Sequence, residues 1–327
     1  MDQSNKLRKL PVSLIQRIAD IIDIEERPIA NRELLRLCSE AGIDALSYEA
    51  HVSHELAETA LNYLVKTKYG EQLLSDTDPS TACSEILRPL QKRLPTQSWR
   101  SDTQIAYQQF STPAPIAFLA AYLLNLNSLD TVLEPSCGTG SLGVWTLAAD
   151  ARVVSNEIDP RRRELAGLVG LEPTGHDAEF IDDLLAENIL PNVVLANPPF
   201  SSSGGRVERN QNKFGFRHVE SALRRLAEGG TFAIILGESG SPHTASGSRF
   251  WQSLSPRIQI TGAIELPGKE YYRNGTTVGV TLILGCKLAK ENDNEPAPVE
   301  NSLVISASSV EDAFESALAA YLRFKPS

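Results

Sequence analysis

The chain has 327 residues, of which 42% are apolar and 22% charged, as is typical of a globular protein with a substantial core. Asp and Glu number 41 against 31 Lys and Arg, a net charge of −10. This balance excludes a protein that coats nucleic acid through an overall positive charge, although it leaves room for a locally basic groove.

Features that would indicate a membrane, a metal or an oxidising compartment are missing from the sequence pattern. The start, MDQSNKLRKL, has no apolar core of a secretory signal, and the longest apolar runs are shorter than the roughly 20 residues of a bilayer span. The cysteines at 38, 83, 137 and 286 are far apart and form no C-x-x-C pair. We therefore predict a cytoplasmic protein with no disulfide framework, no metal site and no membrane association.

Residues 1–109 are predicted to form a helical accessory domain. In PVSLIQRIADIIDI, NRELLRLCSEAG and SHELAETALNYLVKTK, apolar residues recur at three- and four-residue spacing, the period of an amphipathic helix. The pattern indicates an N-terminal α-helical bundle. Such a bundle is compatible with a packing accessory, a docking surface or a lid.

Residues 110–290 alternate between apolar runs and helical stretches, which indicates a mostly parallel sheet covered on both faces. About ten residues join the last two of these strands, too few for a crossover helix, so they are predicted to pair antiparallel. The predicted strands are TVLEPS (131–136), RVVSNEI (152–158), NVVLANPP (192–199), TFAIILG (231–237), QITGAIEL (259–266) and TTVGVTLILG (276–285).

Residues 291–327 are predicted to be an acidic linker followed by a short strand, SLVIS, and a C-terminal helix, VEDAFESALAAYL. This segment has a net charge of −5, half of the excess acid of the chain.

A glycine loop follows the first predicted strand. Gly138, Gly140 and Gly143 fit the G-x-G-x-x-G pattern, in which glycines allow a tight turn and close approach of the backbone to a ligand. The second strand ends near Glu157, about where a carboxylate would bind ribose hydroxyls. NAD and S-adenosylmethionine fit this pattern equally well, and a purely structural turn stays open.

The motif Asn197-Pro198-Pro199-Phe200 ends the strand NVVLANPP, at the sheet edge where open α/β folds bind ligands. The two prolines hold the chain extended and cannot donate ladder hydrogen bonds, so carbonyl groups are left available. The Asn197 carboxamide and the Pro198 carbonyl can converge on one amino group, and the Phe200 ring offers a stacking face. The motif therefore predicts a pocket for a planar group that carries NH₂, rather than a hydride-transfer site.

These motifs together resemble a known family. E-P-x-x-G-x-G, an acidic second strand and N-P-P-F are similar to the amino-methyltransferases among the class I S-adenosylmethionine-dependent enzymes. Their order, with Phe110-Ser111-Thr112-Pro113 ahead of the first strand, resembles the gamma class of N6-adenine DNA methyltransferases. QQFSTP, LEPSCGTG, NEIDP, GHDAEFIDDLL, NPPFS and ELPGKEYYRNGT resemble most closely the methyltransferase region found beside strawberry-notch-type helicases.

The resemblance implies a fold and a cofactor. The expected fold is a doubly wound, mostly parallel, seven-stranded Rossmann-like α/β methyltransferase sheet with an antiparallel last strand, plus the N-terminal helical bundle. The expected cofactor is S-adenosylmethionine. Around its methionine part the resemblance places Phe110, Thr112 and Pro113, with Glu134 at the amino group.

The remaining cofactor contacts implied by the resemblance lie in the glycine loop and after the second strand. Gly138 and Gly140 would give close backbone approach, Glu157 would bind the ribose, and Asp177 would reach the amino group of the cofactor adenine. A surface acid in a loop is the alternative interpretation of Asp177.

The target base would leave its stack to enter this pocket, with Phe200 against one face and Tyr271 or Tyr272 against the other. Edge packing is the alternative for either tyrosine, and the P-G-x-x-Y pattern favours Tyr271. The stretch 206–225 has a net charge of +4 and is predicted to contact phosphates. The basic residues proposed for DNA contact are Arg206, Arg209, Lys213 and, in a second loop, Arg249.

The leading hypothesis is an adenine-N6-specific DNA methyltransferase. A methyltransferase of RNA bases or of protein glutamine shares the N-P-P-F chemistry, and a non-catalytic scaffold with this fold is a third reading. Because few residues follow the sheet, three explanations stay open: low sequence specificity, DNA recognition by the N-terminal bundle, or DNA engagement by a separate helicase, ATPase or specificity subunit. The acidic tail and the bundle favour a partner protein.

Overall fold

The computed structural model of the chain describes residues 12–43, 50–97, 110–199, 214–289 and 302–320. Its N-terminal part is helical, as the apolar spacing predicts. The helices are α1 (Val12–Asp23), α2 (Asn31–Glu40), α3 (Ala50–Leu64), α4 (Gly70–Ser75), α5 (Pro79–Ala82) and α6 (Arg88–Arg93), with π-helical turns at Val65–Tyr69 and Cys83–Leu87.

A seven-stranded sheet follows, with helices between its strands. The strands are β1 (Thr131–Glu134), β2 (Arg152–Ser155), β3 (Val193–Ala196), β4 (Thr231–Gly237), β5 (Ile258–Leu266), β6 (Val280–Lys287) and β7 (Leu303–Ser306). The helices are α7 (Ala114–Leu124), α8 (Gly143–Ala148), α9 (Pro160–Leu168), α10 (Ile181–Leu184), α11 (Phe214–Arg225), α12 (Ala245–Leu254) and α13 (Val310–Ala319), with 3₁₀ turns at Ala178–Phe180, Glu238–Gly240 and Gly268–Asn274.

The strand order is β2-β1-β3-β4-β6-β5-β7, and only β6 runs antiparallel to its neighbours. The prediction of a seven-stranded, mostly parallel, doubly wound sheet with an antiparallel strand is confirmed. The antiparallel strand is β6, and β7, the last strand in the chain, lies at the sheet edge parallel to β5. The antiparallel pairing of β5 with β6 follows from their short connection, as the sequence indicates.

Burial explains why the strands are so apolar. All four residues of β3 and six of the seven in β4 are buried, because helices cover both faces of the sheet. On one face, helix α7 is buried along its whole length, and Phe118 of that helix stacks on Trp145 of α8. On the other face, α11 and α12 pack over β3 and β4.

The helices at both ends of the chain share the core of the sheet. Val65 and Leu87 of the N-terminal part belong to the same buried cluster as α7, and Phe314 of α13 packs against Phe118 with ring centroids 4.9 Å apart. Within the described ranges, no helix is long and apolar enough to cross a membrane.

Candidate active site

Two buried carboxylates lie at the carboxyl ends of the adjacent strands β1 and β2. Glu134 is 2% exposed and Glu157 is 4% exposed. Glu157 accepts hydrogen bonds from the backbone N–H of Gly138 at 2.8 Å and of Asp159 at 2.9 Å. One carboxyl oxygen of Glu134, Oε2, is buried without a hydrogen-bond partner in the described ranges. The strand ends therefore place two acidic side chains directly beneath the glycine loop.

The pKa values of these acids reflect their burial. Burial raises the pKa of Glu134 to about 8, and the nearby charge of Glu157 contributes to the rise. Burial also raises the pKa of Glu157, while the positive charge of Arg162 and the two backbone N–H donors oppose that rise. A cationic ligand close to the loop would relieve the cost of ionising this pair.

The glycine loop requires glycine at two of its positions. Gly138 has φ +56° and Gly140 has φ +94°, in the left-handed region that other residues adopt only with strain. A side chain at Gly140 would also approach Leu171 to 2.8 Å. Between the two, the loop turns tightly from β1 into α8, with the side chain of Glu157 hydrogen-bonded at its start.

Asn197 lies one residue beyond β3 and is held in one orientation. Its Nδ2 donates to Thr112 Oγ1 at 2.7 Å and lies 3.4 Å from the Phe110 carbonyl oxygen. Because a carbonyl oxygen only accepts, the amide must turn its NH₂ group towards Phe110 and Thr112. Asn197 Oδ1 consequently points away from them, and it is buried without a hydrogen-bond partner among the residues that the structure describes. The F-S-T-P and N-P-P-F motifs are thus joined directly, and their contact leaves an orphaned acceptor.

Comparisons with known proteins were made by sequence and by structure. No family model matches the chain. The chain is 28% identical over 153 residues to the type II restriction enzyme and methyltransferase RM.BcgI of Heyndrickxia coagulans, covering 39% of this chain. The matched stretch spans 23% of that relative's length.

A crystal structure from Listeria monocytogenes, described as a class I S-adenosylmethionine-dependent methyltransferase, superposes with a TM-score of 0.51 at 16% identity. The match covers 95% of this chain and 97% of that chain. The chain has the class I methyltransferase fold. The modification subunit of a type I restriction enzyme from Vibrio vulnificus has a TM-score of 0.48 at 14% identity, covering 83% and 66% of the two chains.

The narrower resemblance to the region beside strawberry-notch-type helicases stays a prediction. On the methyltransferase fold, the glycine loop and Asn197 both lie at the carboxyl edge of the sheet, after β1 and β3. These strands are neighbours in the sheet, so the predicted cofactor and amino-group sites adjoin one another.

Tyr271 occupies a different position from the one expected. Its side chain is fully buried, and its hydroxyl lies 3.4 Å from Asn197 Nδ2. A ring enclosed by the core presents no face to an incoming base, so stacking by Tyr271 does not fit this arrangement. Packing beneath the turn after β5 has overridden the expectation from the P-G-x-x-Y pattern. Tyr272 is 61% exposed, so its ring is accessible.

The other predicted residues fall into three groups. Pro113 precedes α7, and Pro198 is buried while Pro199 is partly exposed, so both motifs lie against the core. Asp177 is exposed, and its carboxylate accepts the backbone N–H of Glu179 at 3.1 Å. Arg249 is exposed and donates to a carbonyl of its own helix. Phe200, Arg206, Arg209 and Lys213 lie outside the described residues.

Two charged or polar side chains at the site carry no recognisable sequence signal. Arg162 is 4% exposed, pairs with Glu55 of α3 at 3.3 Å and donates to Ser111 Oγ at 3.1 Å. The sequence predicted a structural or surface role for His218. It is buried with Nδ1 3.3 Å from Ser136 Oγ, and burial lowers its pKa to about 4. In sequence, Arg162 belongs to an ordinary basic run and His218 stands alone.

Replacing Glu134 by glutamine is expected to stabilise the ligand-free protein increasingly as the pH rises from 5 to 8. Because its pKa is about 8 in the folded protein against an ordinary 4.5, the folded state holds this proton more tightly than the unfolded chain. The free energy of unfolding of the wild type therefore falls as the pH rises across that window. The variant lacks this titrating group and does not show this part of the fall.

The gain in unfolding free energy should be roughly 2–4 kcal/mol larger at pH 8 than at pH 5. Urea denaturation of both proteins at the two pH values measures it. If the variant and the wild type differ in unfolding free energy by the same amount at pH 5 and at pH 8, the pKa of Glu134 is not raised in the folded protein.

Within the described residues, no group of three or more His, Cys, Asp or Glu side chains is placed to hold a metal ion.

Proposed function

We propose that the chain transfers a methyl group from S-adenosylmethionine to the N6 amino group of adenine in DNA. The observation that carries the proposal is the buried Oδ1 of Asn197 at the carboxyl end of β3, which has no hydrogen-bond partner within the described part of the chain. It lies next to a glycine loop that is flanked by two acidic residues, Glu134 and Glu157. A buried acceptor without a partner is costly, and an amino group of a bound substrate would satisfy it.

The residues around the glycine loop fit S-adenosylmethionine better than a dinucleotide. Glu134 and Glu157 are both buried at the loop, and the ionised form of either side chain would repel the pyrophosphate of NAD. S-adenosylmethionine instead brings a positive sulfonium and an ammonium group. When bound, it supplies an electrophilic methyl group, and the sulfur that carries this methyl group is an excellent leaving group.

Asn197 would prepare the target amine. The N6 lone pair of adenine is delocalised into the ring, which makes the amine a poor nucleophile. Hydrogen bonds from its two protons to Asn197 Oδ1 and to the Pro198 carbonyl would localise that lone pair on nitrogen. Positioning and electrostatics carry most of the barrier reduction in this scheme, and no side chain needs to form a covalent bond.

Thr112 and Tyr271 would keep Asn197 in the productive orientation. Both hydroxyls lie within hydrogen-bond reach of Nδ2, which leaves Oδ1 free to accept. Phe200 is proposed to stack on the flipped base, and the exposed Tyr272 is the available aromatic residue for the opposite face.

DNA engagement is proposed to need a partner, such as a helicase, an ATPase or a specificity subunit. Of the basic stretch 206–225, Arg217 pairs with Glu179 at 3.0 Å, and Arg224 pairs with Asp182 and with Glu220. These pairs neutralise charges that would otherwise contact phosphates. Arg206, Arg209 and Lys213 are the proposed phosphate contacts of the same stretch, and Arg249 is a further one.

Incorporation of labelled methyl groups tests the substrate class. The protein is incubated with methyl-labelled S-adenosylmethionine and, side by side, with DNA, RNA and a mixture of proteins. We expect label in DNA. Label confined to RNA or to protein would show that the same chemistry acts on that substrate and not on DNA. No label in any of the three would favour a non-catalytic scaffold.

A further inference from the structure

Helix α3 of the N-terminal part carries an unusual polar stripe, in which two residues are buried and one, Glu58, is partly buried. Glu55, Glu58 and Asn62 follow one another at three- and four-residue spacing, so they share one face of the helix. In an accessory helix this face would be apolar. Here it is directed at the loops of the methyltransferase core.

Each residue of the stripe contacts a different part of the predicted cofactor site. Glu55 pairs with Arg161 at 2.9 Å and with Arg162 at 3.3 Å. Asn62 Nδ2 donates to the carbonyl of Thr139, in the glycine loop, at 3.1 Å. Glu58 is hydrogen-bonded to Ser111 of the F-S-T-P motif. The stripe therefore forms a third wall beside the two motifs that the sequence identified.

A cleft opens between these walls. Its lining includes Glu58 and Asn62 from α3, Thr112 from the F-S-T-P motif and Ser141 from the end of the glycine loop. Thr112 is the residue whose hydroxyl holds Asn197 at 2.7 Å. The cleft thus begins directly behind the proposed catalytic asparagine.

Glu58 offers this cleft an unsatisfied acceptor. Asn274 Nδ2 lies 3.3 Å from its Oε1, but Oε2 is buried and none of the described residues forms a hydrogen bond with it. Arg273, the arginine that also lines the cleft, donates to the carbonyl of Leu94 at 3.0 Å. Burial raises the pKa of Glu58 to about 7, although the hydrogen bond with Ser111 and the positive charge of Arg162 oppose the rise.

The chemistry of the cofactor indicates what this acceptor would bind. The resemblance places the methionine part of S-adenosylmethionine at Thr112, and Thr112 lines the same cleft as Glu58. The charged group at the end of the methionine part that a carboxylate can receive is the α-ammonium.

We propose that Glu58 is a cofactor-binding residue, whose carboxylate receives the α-ammonium group of S-adenosylmethionine. The resemblance gave this role to Glu134, but among the described residues Glu58 lines the cleft and Glu134 does not. The inference rests on the proposed function, since it assumes the same cofactor. It makes the N-terminal helix part of the cofactor site. Ligand affinity should then depend on a residue outside every motif of the methyltransferase core.

Two ligands that differ only in that amino group test the proposal on the full chain. Calorimetry measures the dissociation constants of S-adenosylhomocysteine and of its desamino analogue, in which hydrogen replaces the α-amino group. The wild type should prefer the amino ligand by roughly 10- to 100-fold, the range of a charge-assisted hydrogen bond. In Glu58→Gln this preference should fall to below about 3-fold, and Glu58→Asp should retain an intermediate preference.

One control variant and three possible binding results complete the test. Glu40→Gln changes an exposed acid of α2, 64% exposed at its side chain, and should preserve the wild-type preference. If Glu58→Gln and Glu58→Asp weaken both ligands equally, Glu58 only supports the fold and the inference is wrong. If the wild type binds S-adenosylhomocysteine without any preference for the amino group, the inference fails while the proposed function stands. If it binds neither ligand, both fail.

Discussion

Replacing Asn197 by alanine is expected to lower kcat for methyl transfer by about 100-fold or more and to change the cofactor dissociation constant by less than about 3-fold. The side chain offers its buried Oδ1 to the substrate, while its Nδ2 is occupied by Thr112. The variant would lose an interaction that strengthens as the amine becomes nucleophilic, and it would keep the loop that binds the cofactor. Single-turnover transfer and calorimetry measure the two effects.

The matched control for this experiment is Asn188→Ala, at an exposed asparagine in the segment that precedes the same strand. It should leave both quantities at the wild-type value. Methyl transfer at an undiminished rate in Asn197→Ala would refute the mechanism. A large loss of cofactor affinity would instead assign Asn197 to the cofactor site.

Replacing Glu157 by alanine is expected to weaken cofactor binding by about 10- to 100-fold. Both carboxylate oxygens accept backbone N–H groups, of Gly138 and of Asp159, so the side chain fixes the start of the glycine loop. The same carboxylate is proposed to bind the ribose. Its loss removes the ribose contact and leaves loop donors unpaired, so equilibrium binding of S-adenosylhomocysteine reports both effects.

Glu172→Ala is the control, because Glu172 is exposed and lies outside the loop. The dissociation constant of this variant for S-adenosylhomocysteine should match that of the wild type. Wild-type affinity in Glu157→Ala would contradict the assignment of this carboxylate to the cofactor. The melting temperature should be recorded for each variant, because Arg162 loses a nearby opposite charge in Glu157→Ala.

Local patterns were sufficient to predict most of the sheet. Strands such as TFAIILG are continuous apolar runs bounded by polar turns, and β4 coincides with the predicted 231–237. The antiparallel partner of β5 followed from a connection too short for a helix. The prediction for β6 began at 276, whereas the strand starts at Val280, because a run of small and β-branched residues does not mark where pairing begins.

The site was predictable where its chemistry is carried by contiguous motifs. Glu134, Gly138 and Glu157 lie together because they follow neighbouring parallel strands. Tyr271 was placed wrongly because exposure depends on the packing around the turn after β5. Glu58 and Arg162 escaped notice for a related reason: charged residues on an amphipathic helix are usually solvated, and only the packing of α3 against the loops buries them.

Contacts of helix α3 join the N-terminal part of the chain to the methyltransferase part. The sequence suggested an accessory bundle separated from the core at residue 109. Helix α3 instead contacts both the glycine loop and the F-S-T-P motif through Asn62 and Glu58. We propose that the two parts act together in cofactor binding.

Adenine methylation of DNA is tested most directly by mass spectrometry of nucleosides from DNA that has been incubated with the protein and S-adenosylmethionine carrying a deuterated methyl group. We expect deuterated N6-methyladenine with the wild type and none with Asn197→Ala. Deuterated methyl groups on cytosine alone, or no labelled nucleoside while protein glutamine carries the label, would contradict adenine methylation of DNA as the function of this chain.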